Sequence, residues 1–332
     1  MSALLELQGV TVRYRQTGRR GHELTAVADA GFAIGEGETL GLVGESGCGK
    51  TTLGRAILQL VPIAAGEIRW RGQRIDDLDR SRFRALRREL QLVFQDPHSC
   101  LDPRMTIAES VAEPLRGLMP ELAAAGRTER VARQLADVGL PPELADRYPH
   151  QLSGGQLQRA VIARALVADP HFVVCDEPVS ALDVSVQGQI VNLLARIRRE
   201  RGLASLFISH NLAVVARLCE RILVMYRGRI VESAPRAALI RAPLHPYTRE
   251  LLDAVPVIDA GARRRVLARR VASAPGDAVE GAGGCAFAAR CPYAVARCRS
   301  ERPPLQPAGD GRLVACHRAG EWPNGLPPLV PG

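Results

Sequence analysis

The residues best suited to chemistry in this sequence are a glycine-rich turn and a pair of adjacent carboxylates. Residues 44–51 read GESGCGKT, a glycine, four residues, then Gly-Lys-Thr. Glycines at this spacing let backbone N–H groups turn inward around phosphate oxygens, and a helix starting at the lysine adds the positive end of its dipole. Gly44, Glu45, Ser46, Gly47, Cys48 and Gly49 would form the cradle, and Lys50 would reach the terminal phosphates. Thr51 would ligate Mg²⁺, with Thr52 completing the loop. Lys50 is also the only lysine among 44 basic residues. Arginine is a planar fork and lysine a compact point charge, so the exception suggests a tight site that accepts only an ammonium.

The carboxylate pair lies in HFVVCDEP, residues 171–178, where a mostly apolar run leads to Asp176 and Glu177. A carboxylate at a strand end can hold Mg²⁺ through water, and its neighbour can act on an attacking water. Asp176 is assigned to the metal and Glu177 to the general base. Between the two motifs lies LSGGQ, residues 152–156, ahead of a helical run. Ser153, Gly154, Gly155 and Gln156 at a helix N-terminus form a second anion cradle. One nucleotide does not need two cradles from one chain. The second is expected to serve the nucleotide of a neighbouring subunit, which would make the nucleotide the glue of a dimer.

These groups need a scaffold of strands that end in turns. Alternation predicts a strand over residues 4–13, and a short buried strand over 39–43 leads into the glycine turn. A helix is predicted from Lys50 to the break at Pro62. Further helices are expected over 129–138, 156–168 and 186–199, with buried strands at 172–175 and 206–209. Short apolar strands alternating with helices argue for a mostly parallel sheet covered on both faces.

A length of 332 residues suits one α/β domain of ordinary size with an appendix. No run approaches the roughly 18 apolar residues of a spanning helix. The N-terminus MSALLELQGV lacks a basic region followed by an apolar one, so a cytoplasmic chain is expected. The net charge of +9 raises the question of nucleic acid. Its arginines are spread around helices, as in RSRFRALRR at 80–88, and aromatics for base stacking are few. No nucleic-acid partner is expected. After about residue 235 Pro and Gly become dense, a basic cluster occupies 262–270, and four of the eight cysteines fall between 285 and 316. No internal repeat hides a second catalytic copy.

LSGGQ resembles the signature motif of ABC ATPases, and the other motifs match that family in order. Tyr14 stands as the adenine-stacking aromatic and Gln95 in VFQDP as the Q-loop. SALD at 180–183, ending in Asp183, matches the D-loop, and His210 in ISHN the switch histidine. The resemblance implies an α/β P-loop nucleotide-binding domain over residues 1–235, with a helical subdomain at about 96–168. A small Cys-containing C-terminal module would follow over 236–332. It further implies ATP hydrolysis in a head-to-tail dimer, with Gln95 near the metal and His210 at the γ-phosphate.

Three longer stretches narrow the match: QDPHSCLDPRMTIAESVAEPL (95–115), RYPHQLSGGQLQRAVIARAL (147–166) and LHPYTRELLDAVP (244–256). They are similar to ATPase subunits of oligopeptide and dipeptide importers, a branch that includes nickel and glutathione importers. The implied partners are a second, paralogous ABC ATPase subunit, two membrane-spanning permease subunits and an extracytoplasmic substrate-binding protein. The implied location is peripheral, at the cytoplasmic face of the cell membrane. Leu157 departs from the basic residue expected after LSGGQ, which would weaken the contact across the dimer, and Cys100 replaces a small polar residue.

In a reducing compartment, Cys285, Cys291, Cys298 and Cys316 point to a metal or to redox chemistry rather than to a disulfide framework. Their spacing lacks the close pairs common at zinc sites. Ligation of a [4Fe–4S] cluster fits the count and is implied by the resemblance, with zinc and metal-free thiols as the other readings. Cys48, Cys100, Cys175 and Cys219 are scattered and read as small residues in or near the core. Two rival classes are disfavoured. A soluble ABC ATPase of ribosomes or DNA would carry two cassettes or a long coiled coil. A dead binding module would not keep Lys50, Asp176, Glu177 and His210.

Overall fold

The computed structural model describes residues 3–15, 23–254, 283–322 and 325–326. The basic cluster at 262–270 lies outside the described residues. The chain opens with β1 (Leu5–Arg15) and β2 (Glu23–Ile34), then β3 (Thr39–Val43), the glycine turn and α1 (Lys50–Ile57). There follow β4 (Ala65–Trp70), β5 (Gln73–Arg74), α2 (Arg80–Leu86) and β6 (Leu90–Val93). A helical stretch comes next, α3 (Pro97–Cys100), α4 (Ile107–Leu118), α5 (Ala124–Asp137) and α6 (Gly154–Leu166). Strands and helices then alternate through β7 (Phe172–Asp176), α7 (Val184–Arg201), β8 (Ala204–Ser209), α8 (Leu212–Leu218), β9 (Arg221–Tyr226) and β10 (Arg229–Pro235). The last described elements are α9 (Arg236–Arg241), α10 (Pro246–Asp253), α11 (Ala296–Ser300), β11 (Gln306–Pro307) and β12 (Leu313–Val314).

The strands form two sheets. In the larger, β6, β7, β8, β3 and β9 lie side by side and parallel, and β10, β12 and β11 extend the edge antiparallel. Every residue of β3 (TLGLV) and β7 (FVVCD) is buried, as expected for parallel strands covered on both faces. The smaller sheet, in the order β2-β1-β4-β5, is antiparallel throughout. Of its strands the alternation marks only β1, because β2 (ELTAVADAGFAI) is rich in alanine and its alternation is weak. Its apolar face joins that of α1 in one core with Leu5, Val27, Leu53, Ile57 and Ile68.

The other face of the large sheet packs on the helical stretch. Ile107, Val111 and Leu115 of α4, Val131 and Leu135 of α5, and Val161 of α6 share a core with Val173 and Phe207 of the sheet. The start of α4 is fixed by a capping box. Thr106 Oγ1 accepts from Glu109 N at 3.2 Å, while Glu109 Oε2 accepts from Thr106 N at 2.8 Å.

The C-terminal residues are stitched onto this framework. β12 pairs with β10 through Val314 opposite Glu232. The Glu232 side chain is fully buried and accepts from the backbone N–H groups of Leu244 and His245, both at 2.9 Å. Burial pushes its carboxyl above the ordinary range, and these bonds work against that rise. Phe287 is buried in the main core against Tyr226 and Tyr247, with ring centroids 5.3 and 5.6 Å away. No helix among the described residues is long and apolar enough to cross a membrane.

Candidate functional site

The glycine turn joins the C-terminal end of β3 to the N-terminus of α1, which begins at Lys50. Parallel strands put such turns at one edge of the sheet, where open α/β folds bind ligands. The turn needs its glycines. Gly49 has φ +105°, and a Cβ there would lie 2.3 Å from Ala26 O. A Cβ on Gly44 would lie 2.2 Å from Met225 O. In front of Gly47, by contrast, a Cβ would meet nothing within 4 Å among the described residues, which leave the mouth of the loop open.

Lys50 is 4% exposed. Its Nζ donates to Gly44 O and Glu45 O, both at 2.9 Å, and lies 3.9 Å from Glu177 Oε1. The ammonium is held inside the loop by the loop's own carbonyls, a fit for a compact donor rather than a fork. Thr51 Oγ1 donates to Asp176 Oδ1 at 2.8 Å, joining the start of α1 to the end of β7. Burial raises the Asp176 carboxyl, and the Thr51 bond partly offsets this.

Glu177 follows in a left-handed backbone conformation, φ +46°, which is uncommon outside glycine. That turn places its carboxylate among several partners. Oε2 accepts from Gln95 Nε2 at 3.3 Å and lies 3.0 Å from His210 Nδ1. Gln95 follows β6 and His210 follows β8, so neighbouring strand ends deliver their side chains to one carboxylate. The structure therefore brings together Lys50, Thr51, Gln95, Asp176, Glu177 and His210. Tyr14, at the end of β1, is partly exposed, and its Oη donates to Thr52 Oγ1 at 3.4 Å.

The LSGGQ turn sits at a helix start. Ser153 is the N-cap of α6, its Oγ accepts from Gln156 N at 3.4 Å, and Gln156 Oε1 accepts from Ser153 N at 3.0 Å. These bonds close on the cradle itself. A Cβ on Gly155 would lie 2.7 Å from Val186 Cγ1, so the start of α6 sits tight against the start of α7. Asp183 caps α7 without a side-chain bond, and the adjoining Val184 is 85% exposed. Leu157 is fully buried in the helical core, so its side chain does not face the cradle, and the expected weakening across the dimer does not follow.

The four C-terminal cysteines line one cleft together with His245, and burial raises three of their thiols. Cys291 is pushed up to about 12 and Cys316 to about 11, each further raised by the neighbouring thiols. Among the described residues, however, no group of three or more Cys, His, Asp or Glu side chains is close enough to hold a metal ion. The donor geometry thus supports neither the expected iron–sulfur ligation nor zinc. Cys48, Cys175 and Cys219 are buried as expected, and Cys100 is half-buried.

Two residues outside the phosphate, carboxylate and signature motifs also reach the glycine turn: Tyr247, within the 244–256 stretch, and Arg290 bond Glu45. They lie 202 and 245 positions away in sequence, and no local spacing could have revealed them.

Comparison with known proteins agrees with this geometry. Residues 27–180 match the ABC transporter family, and residues 231–298 match the oligopeptide/dipeptide transporter C-terminal region. "Probable peptide ABC transporter ATP-binding protein y4tS" of Sinorhizobium fredii is 50% identical over 293 residues, 88% of this chain and 82% of that protein. The oligopeptide transport ATP-binding protein OppF of Escherichia coli is 46% identical over 283 residues, 85% of each chain. Among solved structures, an ATP-binding cassette dimer in a post-hydrolysis state with ADP and Pi aligns with a TM-score of 0.64 at 30% identity, covering 70% of this chain and 98% of that one. With a phosphate loop, a paired carboxylate and a signature turn on the same scaffold as these relatives, the chain belongs to the ABC transporter family of ATPases, in the branch that carries the oligopeptide/dipeptide transporter C-terminal region.

Proposed function

We propose that this chain energises the import of di- or oligopeptides, as the ATP-hydrolysing subunit of a membrane ABC transporter. What carries the reading is a full hydrolytic set joined to the C-terminal region of that branch. Relatives named for peptide transport share 46–50% identity with nearly the whole chain. Lys50 and the backbone of residues 44–51 bind the phosphates of ATP, and Tyr14 offers its ring to the adenine. Mg²⁺, when bound, neutralises charge on the phosphates, and Thr51, Asp176 and Gln95 are the groups that would hold it. Thr51 and Asp176 fit this role because their oxygens already converge at 2.8 Å.

Glu177 takes a proton from the attacking water, and His210, 3.0 Å from its carboxylate, keeps that carboxylate oriented toward the γ-phosphate. Ser153 to Gln156 and Asp183 meet the nucleotide and the P-loop of a second ATPase subunit. ATP binding closes the pair, the segment after Gln95 passes the motion to two permease subunits, and hydrolysis reopens it. A substrate-binding protein on the far side would deliver the cargo. On this reading the chain works at the cytoplasmic face of the membrane, with residues 1–235 as the ATPase and 236–332 as the appended module.

The test is uptake of labelled di- and tripeptides by cells lacking this subunit, complemented with the wild type or with Glu177→Gln. Uptake restored by the wild type alone supports the reading. Unimpaired peptide uptake in the deleted cells, with nickel or glutathione uptake lost instead, moves the assignment to the other cargoes of this branch. The [4Fe–4S] proposal rests only on the shared cleft of Cys285, Cys291, Cys298 and Cys316. Iron and acid-labile sulfide analysis of anaerobically purified protein decides it, and absence of both removes it.

A further inference from the structure

The second residue of the glycine turn, Glu45, is gripped from outside its own motif. Arg290 makes a bidentate ion pair with it, Nη1 to Oε2 at 3.2 Å and Nη2 to Oε1 at 2.9 Å. The same guanidinium also binds Glu250 of α10. It lies over the rings of Phe287 and Tyr226, 5.5 and 5.8 Å from their centroids. The backbone of Glu45 is held as well. Its N–H donates to Tyr247 Oη at 2.8 Å, while its C=O accepts from Lys50 Nζ at 2.9 Å. Tyr247 is fully buried with its ring tilted against Tyr226, centroids 4.6 Å apart, so its hydroxyl has little freedom to leave.

We infer that Arg290 and Tyr247 are positioning residues of the ATP site, a clamp by which the C-terminal segment sets the shape and charge of the P-loop. This rests on the ATP-site reading above and deepens it. The physical reason has two parts. A loop that must hold polyphosphate carries an acidic side chain at its second position. Unpaired, Glu45 would repel the ligand; paired with Arg290, its charge is compensated and its direction fixed. In addition, Lys50 now bonds the Glu45 carbonyl and must release it to reach phosphate. Tyr247 holds the N–H of the Gly44–Glu45 peptide, whose carbonyl also accepts from Lys50, so the loop keeps its turn when the lysine leaves.

One clamp residue adjoins the cysteine cleft: Arg290, like the Phe287 beneath its guanidinium, lies on the short run between Cys285 and Cys291. The C-terminal segment is thereby part of the nucleotide site, although no motif in it binds phosphate.

The experiment measures ATP affinity, KM and kcat for wild type, Arg290→Gln, Arg290→Lys, Tyr247→Phe, Glu45→Gln and the double variant Glu45→Gln/Arg290→Gln, with thermal unfolding of each. Arg290→Gln should raise Kd and KM for ATP about three- to tenfold with kcat within about twofold. Arg290→Lys should fall between, since it keeps the charge and loses the fork. In the Glu45→Gln background, removing Arg290 should add little, because the two residues act as one pair. An unchanged KM in a folded Arg290→Gln protein overturns the clamp, as does an equal rise in both backgrounds. If the wild type neither binds nor hydrolyses ATP, or Lys50→Ala keeps full turnover, the ATP-site reading fails and the clamp falls with it.

Discussion

Thr51 Oγ1 and Asp176 Oδ1 meet at 2.8 Å although 125 positions separate them in sequence. One residue opens α1 and the other closes β7, so the parallel sheet sets their spacing. Burial pushes the Asp176 carboxyl up, which means that its ionised form is held at a cost in free energy. Asp176→Asn should therefore leave thermal stability unchanged or raised while increasing the Mg²⁺ needed for half-maximal ATPase activity about tenfold. A magnesium titration of both proteins checks this, and an unchanged requirement would remove Asp176 from the metal site.

Glu177 is reached by Gln95, His210 and, more distantly, Lys50. Glu177→Gln keeps the shape and the hydrogen-bonding oxygen but cannot take a proton. Turnover should fall at least about 100-fold with ATP affinity preserved within about threefold. Single-turnover assays beside equilibrium nucleotide binding separate the two effects, and hydrolysis at the wild-type rate would be fatal to the assignment.

The sole lysine sits in a pocket made of the loop's own carbonyls. Lys50→Arg retains the charge but must fit a planar fork where Lys50 is now 4% exposed. ATP affinity should drop at least about tenfold. Isothermal titration at matched magnesium gives the answer; equal affinities would mean that charge alone matters at this position.

His245 supplies a pH-dependent contribution to stability. Burial pulls it down to about 3 from an ordinary 6.5. The folded chain therefore keeps it neutral where the unfolded chain would protonate it. Its contribution is complete above pH 6.5 and is lost as the pH falls from there toward 3, by up to about 1.4 kcal/mol per unit. His245 Nδ1 also accepts from Tyr247 N at 3.1 Å, capping α10, a role that asparagine can take over without titrating. Urea unfolding of wild type and His245→Asn should show their difference shifting by about 1 kcal/mol between pH 7.5 and 5.5, against the wild type at the lower pH. A flat difference would show that the imidazole is not buried as described.

The sequence by itself determined the motifs and the strands that carry them. The turn at 44–51, the carboxylates after FVVC and the capped LSGGQ turn depend on residues within a few positions of one another, and local physics is legible there. The run at 39–43 was located to the residue because a parallel strand buried on both faces reads as a continuous apolar stretch. The helix after Lys50 is shorter than periodicity suggests, ending at Ile57, because Gln59 turns the chain with φ +51° before Pro62 is reached.

Only the tertiary structure decided what depends on partners far along the chain. The antiparallel sheet of β1, β2, β4 and β5 is one such case, since an alanine-rich strand has no clear period until its neighbours bury one face. The convergence of Gln95, His210 and Lys50 on Glu177 is another, because it follows from strand order and not from spacing. The grip of Tyr247 and Arg290 on Glu45 is the furthest from local reading. Its geometry exists only because the C-terminal segment packs Phe287 and Tyr247 against Tyr226, beside the strand edge that carries the P-loop.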